Sequence, residues 1–352
     1  MSALKPGENY YRLLEGKMPE YVPIFDMIPY PLEGYTPAAI MAGPALLGHH
    51  GPQGGRDPWG VEYITNAETG FSAIPKTWDY LLDDISNWRN VIKNPDLDAI
   101  DWKEMSRKDS EMHKDAFKLD RNQTLLFITV EGQFFQNLMA FMGFVEGLCA
   151  MSESPEEIKA LNEYMLDFYL KLQHKIIEYY SPDVLYLLDD LASQKNPFMS
   201  YSMFKELYLP FYKVLVDDAK DHGIPVQFHC CGSCTEFLQD FVDIGVTAWD
   251  PAQTSNDLLA VKQKFGKKLA VVGGWDWMPP ATYPYVDEAA IRKSVRDTID
   301  KYAPGGGFAM CGGANILGVA GDKVVGTVRG WVMDEAASYG ATFYKNHPEA
   351  VY

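Results

Sequence analysis

From residue 120 onward, short apolar runs alternate with segments of helical periodicity, and this alternation limits the folds open to the chain. Short apolar strands separated by helices pair in parallel with both faces covered, and many consecutive units favour a closed barrel over an open sheet. We therefore predict an α/β protein with a single (β/α)8 TIM barrel over residues 1–352, in which 121–352 form the regular units. The predicted strands are 125–130, 183–190, 225–230, 246–250, 268–274 and 307–311.

The longest predicted helix covers residues 155–180. Ser154 can cap this helix, Pro155 suits its first position, and Glu157 completes a capping box. Three further helices are predicted over 201–221, 258–265 and 288–302. Helices of this spacing supply the crossovers that a parallel barrel requires.

Residues 1–120 lack this regularity. The stretch 30–63 is rich in Gly and Pro and is predicted to be mostly loop, so we expect an irregular N-terminal extension over the barrel mouth. Residues 1–17 lack the apolar run of a secretory signal, and no later segment offers about 18 uninterrupted apolar residues. The expected protein is therefore soluble and cytoplasmic, with no membrane partner.

Charge and cysteine content narrow the function classes. The formal net charge is −17 at pH 7 and no basic patch is evident, so a nucleic-acid partner is not expected. The five cysteines are an odd number, and adjacent Cys230 and Cys231 cannot readily pair with each other. Reduced thiols, some of them metal ligands, fit this pattern better than a secreted disulfide framework.

Polar and sulfur-bearing residues follow the predicted strands at their carboxyl ends. In (β/α)8 barrels the chemistry lies at that end, which is called the mouth here. Their convergence predicts an active site at the mouth. These residues are Glu131, Asp189, Asp190, His229, Cys231, Asp250, Gly273, Gly274 and Cys311.

The stretch "QFHCCGSC" (227–234) contains half of a predicted metal site. Side chains alternate along a strand, so His229 and Cys231 point one way and Cys230 the other. Cys311 ends the last clear strand and lies nearby if the barrel closes. Imidazole and two thiolates would select zinc and leave a fourth position for substrate.

Other interpretations of these residues remain open. Buried cysteine is a common core residue, and a histidine at a barrel rim can simply bond to a backbone carbonyl. Cys231 and Cys234 have the spacing of a redox pair but lack the thioredoxin-like βαβ setting. Cys149 lies in an apolar segment, where core packing is predicted.

The carboxylates and glycines at the mouth also allow two interpretations. Asp189 and Asp190 can orient a substrate or move a proton, or they can cap the next helix or shape a turn. Glu131 can be a base or a further metal ligand, or a solvent-facing turn residue. The glycines that permit close backbone approach match neither a dinucleotide-binding nor a P-loop fingerprint.

Several segments of the chain resemble the uroporphyrinogen decarboxylase superfamily, over nearly the whole length. They are "YYRLLEGKMPEYVPIF", "RDPWGVEY", "EGQFFQNLMAFMGFVEGLCAM", the long stretch from "DVLYLLDD" to "QFHCCGS", and the two glycine motifs "GGWDWM" and "APGGGFAMCGGANIL". The His-x-Cys pair with a distant cysteine is similar to the cobalamin-dependent methyltransferase branch. The decarboxylases carry an arginine-rich N-terminal signature, whereas this region has only Arg12.

This resemblance implies an activity and its cofactors. It implies zinc held by His229, Cys231 and Cys311, and a methyl group moving between a small substrate and the cobalt of a corrinoid. The chain has no corrinoid-binding signature of its own, so the corrinoid is expected on a partner protein or in free form. The predicted catalytic residues are Glu131, Asp189 and Asp190, and the predicted cofactor-binding residues are Gly273, Gly274 and Gly312.

Aromatic residues suggest the substrate. If they line the mouth, they form a flat apolar pocket suited to an aromatic ring, although many would be core in any protein. We therefore predict a methoxylated aromatic donor and an anaerobic O-demethylase component. The alternatives are a methylcobalamin:thiol methyltransferase, a non-catalytic barrel with structural zinc, and a porphyrinogen decarboxylase. The residues concerned are Phe25, Met27, Tyr30, Tyr35, Trp59, Tyr63, Trp249, Trp275 and Trp277.

Overall fold

Eight parallel strands form the central sheet of the protein. The computed structural model describes residues 4–25, 35–44, 54–66, 73–117, 120–130, 133–276, 285–311 and 323–351. The described residues form eleven strands, of which β3, β4 and β5 belong to a second, smaller sheet. The strands are β1 (Ile24–Phe25), β2 (Ala39–Ala42), β3 (Gly55–Arg56), β4 (Glu62–Ile64), β5 (Ile74–Pro75), β6 (Leu125–Val130), β7 (Val184–Leu188), β8 (Val226–His229), β9 (Ala248–Ala252), β10 (Ala270–Gly273) and β11 (Phe308–Cys311).

Helix α1 (Pro6–Leu14) precedes β1, and the other described helices lie between the strands or after the last one. They are α2 (Trp88–Val91), α3 (Trp102–Phe117), α4 (Phe134–Met142), α5 (Phe144–Glu153), α6 (Pro155–Tyr180), α7 (Tyr201–Leu207), α8 (Leu209–Asp221), α9 (Leu238–Ile244), α10 (Leu258–Phe265), α11 (Glu288–Tyr302), α12 (Lys323–Gly340) and α13 (Phe343–Asn346). Short 3-10 turns at 85–87, 97–99, 235–237 and 348–350 complete the described elements.

The sheet closes nearly into a barrel. Its strand order is β1-β11-β10-β9-β8-β7-β6-β2, and every neighbouring pair is parallel. The strands therefore follow one another around the barrel in chain order, and β1 and β2 are the edge strands on either side of the seam. The predicted (β/α)8 architecture is confirmed. A separate antiparallel sheet, β3-β4-β5, is built from the N-terminal part of the chain.

Two of the barrel strands, β1 and β2, come from residues 1–120, where periodicity predicted no regular unit. They contain two and four residues, too few to show an alternating pattern. Their place in the barrel is set by non-local pairing, β1 with β11 and β2 with β6. The formation of such short strands depends on hydrogen bonding to their partner strands more than on their own sequence.

Helix α6 has the predicted extent but not the predicted capping box. The Ser154 side chain makes no capping hydrogen bond. Glu157 instead accepts a hydrogen bond from the Trp88 indole (2.9 Å) and one from the guanidinium of Arg89. The capping-box prediction is therefore wrong, because a tertiary contact with α2 has taken the carboxylate that would have capped the helix.

The helix predicted over 201–221 is two helices, α7 and α8. The break falls at Tyr208, which has φ −127° and ψ −47°. Pro210 follows in the first turn of α8. A continuous helix would break here, because proline has no N–H to donate to a carbonyl of the preceding turn and its ring clashes with that carbonyl. The proline within the range 201–221 was therefore a sequence signal for two helices instead of one.

The barrel interior is filled by aromatic rings and closed at its amino-terminal end by α1. Phe25 and Phe127 approach to 5.3 Å between centroids, and Tyr10 from α1 lies 5.8 Å from Phe127. Tyr186 completes this group at 6.1 Å from Phe127, and all four side chains are buried. The mouth at the opposite end is left for the polar residues.

Within the described part of the chain, no single helix has the length and apolarity needed to cross a membrane. Helices α4 and α5 reach that composition only when they are taken together, across a bend of 114°.

Candidate active site

The end of β8 positions the first two site residues. His229 is the last residue of β8 and lies in register with Leu188 of β7 and Asp250 of β9. Its Nε2 is 3.4 Å from the Sγ of Cys231, two residues further on. Cys230 between them is fully buried in the core, where its sulfur accepts a hydrogen bond from the Leu191 amide (3.4 Å). The predicted alternation is confirmed.

Asp190 completes a cluster with these two residues. Its Oδ1 lies 3.8 Å from His229 Nε2 and accepts a hydrogen bond from the Cys231 backbone N–H (2.7 Å). The carboxylate oxygen, imidazole nitrogen and thiol sulfur all lie within 4.8 Å of one another. This set of one oxygen, one nitrogen and one sulfur donor is a composition that suits zinc.

The imidazole of His229 is held from its other side by Asp250. Asp250 is fully buried, and its Oδ2 lies 2.9 Å from His229 Nδ1. The same oxygen accepts a hydrogen bond from the Tyr186 hydroxyl (2.6 Å), and Oδ1 accepts one from the Gln227 amide (2.7 Å). With Nδ1 donating to the carboxylate, Nε2 is free to bind a metal, which is the usual arrangement of metal-binding histidines.

Burial and charge shift the pKa values of these groups. Burial alone would lower the pKa of His229, but the Asp250 carboxylate and the Cys231 thiol raise it well above its usual range. Burial raises the pKa of Cys231, although His229 opposes this. A metal ion must displace a proton from each of these two residues in order to bind. Their donor atoms lie close enough together to bind the same ion. The donor set therefore fits zinc.

Cys311 is not part of the three-residue cluster among the described residues. It ends β11, is fully buried, and lies in register with Phe25. Burial is the main cause of the raised pKa values of Tyr10 and Tyr186, and nearby Asp250 and then Cys311 raise them further, so Cys311 lies near both residues in the barrel interior. Two of the three predicted ligands thus meet, Asp190 joins them, and the role of Cys311 as a ligand stays a prediction.

Asp189 points away from the cluster and caps helix α4. Its carboxylate accepts hydrogen bonds from the backbone N–H groups of Phe135 and Gln136 (both 2.9 Å) and from the Tyr212 hydroxyl (2.6 Å). Burial raises the pKa of Asp189 to about 6, against the opposing effect of these bonds. Asp189 thus caps a helix, but this helix is α4, which precedes it in the chain, and not the next helix, as the capping alternative had it. A catalytic role for Asp189 stays a prediction. Glu131 lies outside the described residues.

The two described glycines predicted to bind cofactor are tightly packed. Gly273 has φ +152°, and a Cβ there would lie 2.6 Å from backbone atoms of Ala252. Gly274 has φ +80°, and a Cβ would lie 2.9 Å from the ring of Tyr302. Packing against the neighbouring strand and helix thus requires glycine at both positions, and their contact with a corrinoid stays a prediction. Gly312 lies outside the described residues.

An apolar cavity of about 710 Å³ opens beside Asp190. Trp59 and Tyr63 line it, as the aromatic prediction required, whereas Trp249 and Phe25 are buried in the core and Trp275 is bonded to Ser294. Met27, Tyr30 and Trp277 lie outside the described residues. The aromatic walls of the cavity are Trp59, Tyr63, Tyr80, Phe135, Phe144, Phe168, Tyr169 and Phe198.

Three residues behind the candidate metal cluster have no role predicted from the sequence: Asp250, Gln227 and Tyr186. Strand alternation offers a signal for two of them, since Gln227 lies two residues before His229, and Tyr186 lies four before Asp190. Asp250 was recognised only as a strand end. Its partner could not be read from the sequence, because the register of β8 with β9 is a property of the folded sheet.

The fold and the clustered donors define a (β/α)8-barrel protein with a candidate metal centre at its mouth. The family model described as "Uroporphyrinogen decarboxylase (URO-D)" matches residues 110–323. The chain belongs to this family.

Similar solved structures include "methyltransferase from Methanosarcina mazei", which is 13% identical with a TM-score of 0.64 and covers 96% of this chain and 99% of its own. A uronate isomerase from Bacillus halodurans C-125 is 10% identical with a TM-score of 0.34, covering 69% of this chain and 56% of its own. No curated protein sequence matches the chain.

Proposed function

We propose that this protein is a zinc-dependent methyltransferase that moves a methyl group from an aryl methyl ether to the cobalt of a corrinoid carried by a partner protein. The observation that carries this proposal is that the aromatic cavity and the candidate metal cluster adjoin at the barrel mouth and share one residue. The aromatic cavity is bounded by Asp190, and Asp190 also belongs to the candidate metal cluster. A ring held in the cavity would present a substituent to the donor set.

The proposed reaction breaks one bond and forms another. The bond between the methyl carbon and the ether oxygen breaks, the oxygen keeps the electron pair, and the methyl group bonds to cob(I)alamin to give methylcob(III)alamin. The departing phenolate then takes one proton from the site or from water. A bound zinc ion would supply a Lewis acid for the charge that develops on the leaving oxygen.

The chain's own residues support this chemistry in distinct ways. His229, Cys231 and Asp190 would hold the ion, and Asp250 keeps the imidazole oriented through Nδ1. The aromatic walls would orient the ring and exclude water. Three further roles belong to the proposal. Cys311 would be a further ligand, and Glu131 or Asp189 would donate the proton, or Asp190 if it does not bind the ion. Backbone contacts with the corrinoid would be made at Gly273, Gly274 and Gly312.

The cavity lining also bears on the alternatives. A porphyrinogen substrate carries several carboxylates, yet none of the described lining residues is an arginine or a lysine. A closed structural zinc site would need no adjoining cavity of this size. The zinc cluster alone favours neither an ether donor nor a thiol acceptor, and the aromatic walls favour the ether.

The proposal is tested by incubating the zinc-loaded protein with cob(I)alamin and methoxybenzene and following the absorbance spectrum of methylcobalamin. We expect methylcobalamin and phenol in equal amounts, no activity in His229→Ala, and full activity in Cys149→Ser, whose cysteine is exposed. Turnover of methylcobalamin with a thiol acceptor, together with no methylation by any aryl methyl ether, would replace this proposal with thiol methylation.

A further inference from the structure

Two hydroxyl groups lie among the aromatic rings that fill the barrel interior, and both lead to Asp250. The rings are those of Tyr10, Phe25, Phe127 and Tyr186, and all four are buried. Tyr186 donates to Asp250 directly (2.6 Å). Phenylalanine would fill the same space, and a buried hydroxyl costs free energy unless it has a partner. Packing alone therefore does not explain why two of the four rings are tyrosines.

The hydroxyl of Tyr10 reaches Asp250 through one amide. It donates to Gln227 Oε1 (2.8 Å), and Gln227 Nε2 donates to Asp250 Oδ1 (2.7 Å). Burial and then the charges of Asp250 and Cys311 raise the pKa of Tyr10 well above its usual range, although the bond to Gln227 opposes this. Tyr10 therefore keeps its proton at pH 7 and acts as a donor. Tyr10 and Gln227 are fully buried, so bulk water does not compete for either bond.

The orientation of the Gln227 amide follows from its two neighbours. A carboxylate only accepts hydrogen bonds, so Asp250 requires the N–H₂ end of the amide, and the oxygen end then faces the Tyr10 hydroxyl. The reverse orientation would place the amide oxygen against the carboxylate. One arrangement of hydrogen bonds thus runs from α1, at the amino-terminal end of the barrel, to Asp250. We call these bonds, from Tyr10 to Gln227 and from Gln227 to Asp250, the relay.

The relay divides the two oxygens of Asp250 between different partners. Oδ1 accepts from Gln227, which leaves Oδ2 for the Tyr186 hydroxyl (2.6 Å) and for His229 Nδ1 (2.9 Å). The carboxylate cannot turn about its last bond without losing the bond from Gln227. The position of Oδ2 is therefore set by Gln227, and with it the direction in which His229 presents Nε2.

We infer that Tyr10 and Gln227 are positioning residues for the candidate metal centre, and that they orient His229 through Asp250 from the opposite end of the barrel. This inference rests on the metal site of the proposed function, but it does not depend on the methyl donor or acceptor. Neither residue belongs to the metal cluster or to the described lining of the cavity. Their effect on a metal ion is therefore indirect.

Chelator competition with zinc alone tests the inference. Tyr10→Phe removes only the hydroxyl, and Gln227→Met removes the amide at a similar side-chain length. We expect the Kd for zinc to rise about threefold to tenfold in Tyr10→Phe and about tenfold or more in Gln227→Met. Tyr180→Phe is the matched control, because it removes another buried hydroxyl that donates to a side chain, that of Asp109 (2.6 Å), and its Kd should equal that of the wild type. An unchanged Kd in Tyr10→Phe would overturn the inference.

The double variant distinguishes the relay from two separate losses of stability. If Tyr10 acts through Gln227, adding Tyr10→Phe to Gln227→Met raises the Kd for zinc no further. A further rise as large as that in Tyr10→Phe alone would overturn the relay. Cobalt(II) in place of zinc gives a spectroscopic readout, since its ligand-field absorption bands depend on ligand orientation. We expect these bands to shift in Tyr10→Phe and not in Tyr180→Phe, and identical spectra in all three proteins would also overturn the relay.

A measurement without metal separates failure of this inference from failure of the proposed function. In protein with isotope-labelled histidine rings, the proton on His229 Nδ1 reports its hydrogen bond to Asp250 by nuclear magnetic resonance. We expect its resonance to move in Tyr10→Phe and Gln227→Met and to stay in place in Tyr180→Phe. Such a shift supports the inference even in a protein that transfers no methyl group. An unmoved resonance in Tyr10→Phe and Gln227→Met overturns it even in an active methyltransferase.

Discussion

Asp250 determines which nitrogen of His229 is available to a metal. Its carboxylate accepts from Tyr186 and Gln227 and faces His229 Nδ1 at 2.9 Å, all without exposure to solvent. With both donors directed at Asp250, the proton that His229 keeps when a metal binds is the one on Nδ1, and Nε2 faces Cys231. The orientation of one ligand therefore depends on a residue that touches no metal.

We predict that Asp250→Asn lowers zinc affinity about 10- to 100-fold, because the amide loses the charge and presents an N–H₂ group to one of its donors. Competition with a chelator measures the affinity. Asp109→Asn is the matched control, since Asp109 is also buried and accepts a tyrosine hydrogen bond at 2.6 Å, from Tyr180. Equal zinc affinity in wild type and Asp250→Asn would show that Asp250 does not orient the ligand.

The alternation of side chains along a strand predicted the direction in which each side chain points. It did not predict the distances between side chains on different strands. It placed His229 and Cys231 together because both lie on one strand end. It did not indicate Asp190 as a member of the cluster, since Cys311 was predicted as the third ligand. Asp190 follows β7, which is the direct neighbour of β8, while β11 lies three strands away. Local composition misled once: Cys149 is exposed, not in the core, since its apolar segment turns that position outward.

The turn after β8 is the element that carries Cys231, and Gly232 shapes it. Gly232 has φ +88°, and a Cβ there would lie 2.4 Å from the carbonyl oxygen of Ser193 and 2.5 Å from that of Ala192. Both neighbours are backbone, so the turn itself must move to accept a side chain. Its N–H also donates to the Gln253 side chain at 2.6 Å, which ties the turn to the end of β9.

We predict that Gly232→Ala destabilises the fold by more than about 2 kcal/mol and weakens zinc binding, because strain and a backbone clash add and displace Cys231. Gly223→Ala provides the control, since Gly223 has φ +72° with nothing within 4 Å of its added Cβ. That variant should cost about 1 kcal/mol from strain alone and leave zinc affinity unchanged. Thermal unfolding and chelator competition measure the two effects, and equal behaviour of the variants would refute the clash.

The ranges of the helices were predicted better than the side chains that cap them. The sequence patterns of α6, α10 and α11 predicted their observed ranges. Burial of the apolar face stabilises each helix independently of the side chains that cap it. The capping box at α6 failed because Glu157 bonds to α2, a contact between residues about 70 positions apart. Side-chain caps compete with tertiary partners that sequence spacing cannot show.

The barrel as a whole was predictable because repeated strand and helix units leave few alternatives for a parallel sheet. What the sequence did not show was how the barrel closes. The seam strands β1 and β2 have two and four residues, and the antiparallel sheet β3-β4-β5 precedes the regular units. The cavity is built where this N-terminal part meets α4 and α5, so its shape depends on contacts between distant segments.

The measurement that bears most directly on the site is the zinc content of the purified protein, by inductively coupled plasma mass spectrometry. We predict about one zinc ion per chain in the wild type, loss of most zinc in His229→Ala and Cys231→Ser, and wild-type content in Cys149→Ser. Asp190→Asn and Cys311→Ser then show which of the two residues completes the ligand set. Zinc-free wild type, or unchanged zinc in His229→Ala and Cys231→Ser, would contradict the metal site at the barrel mouth.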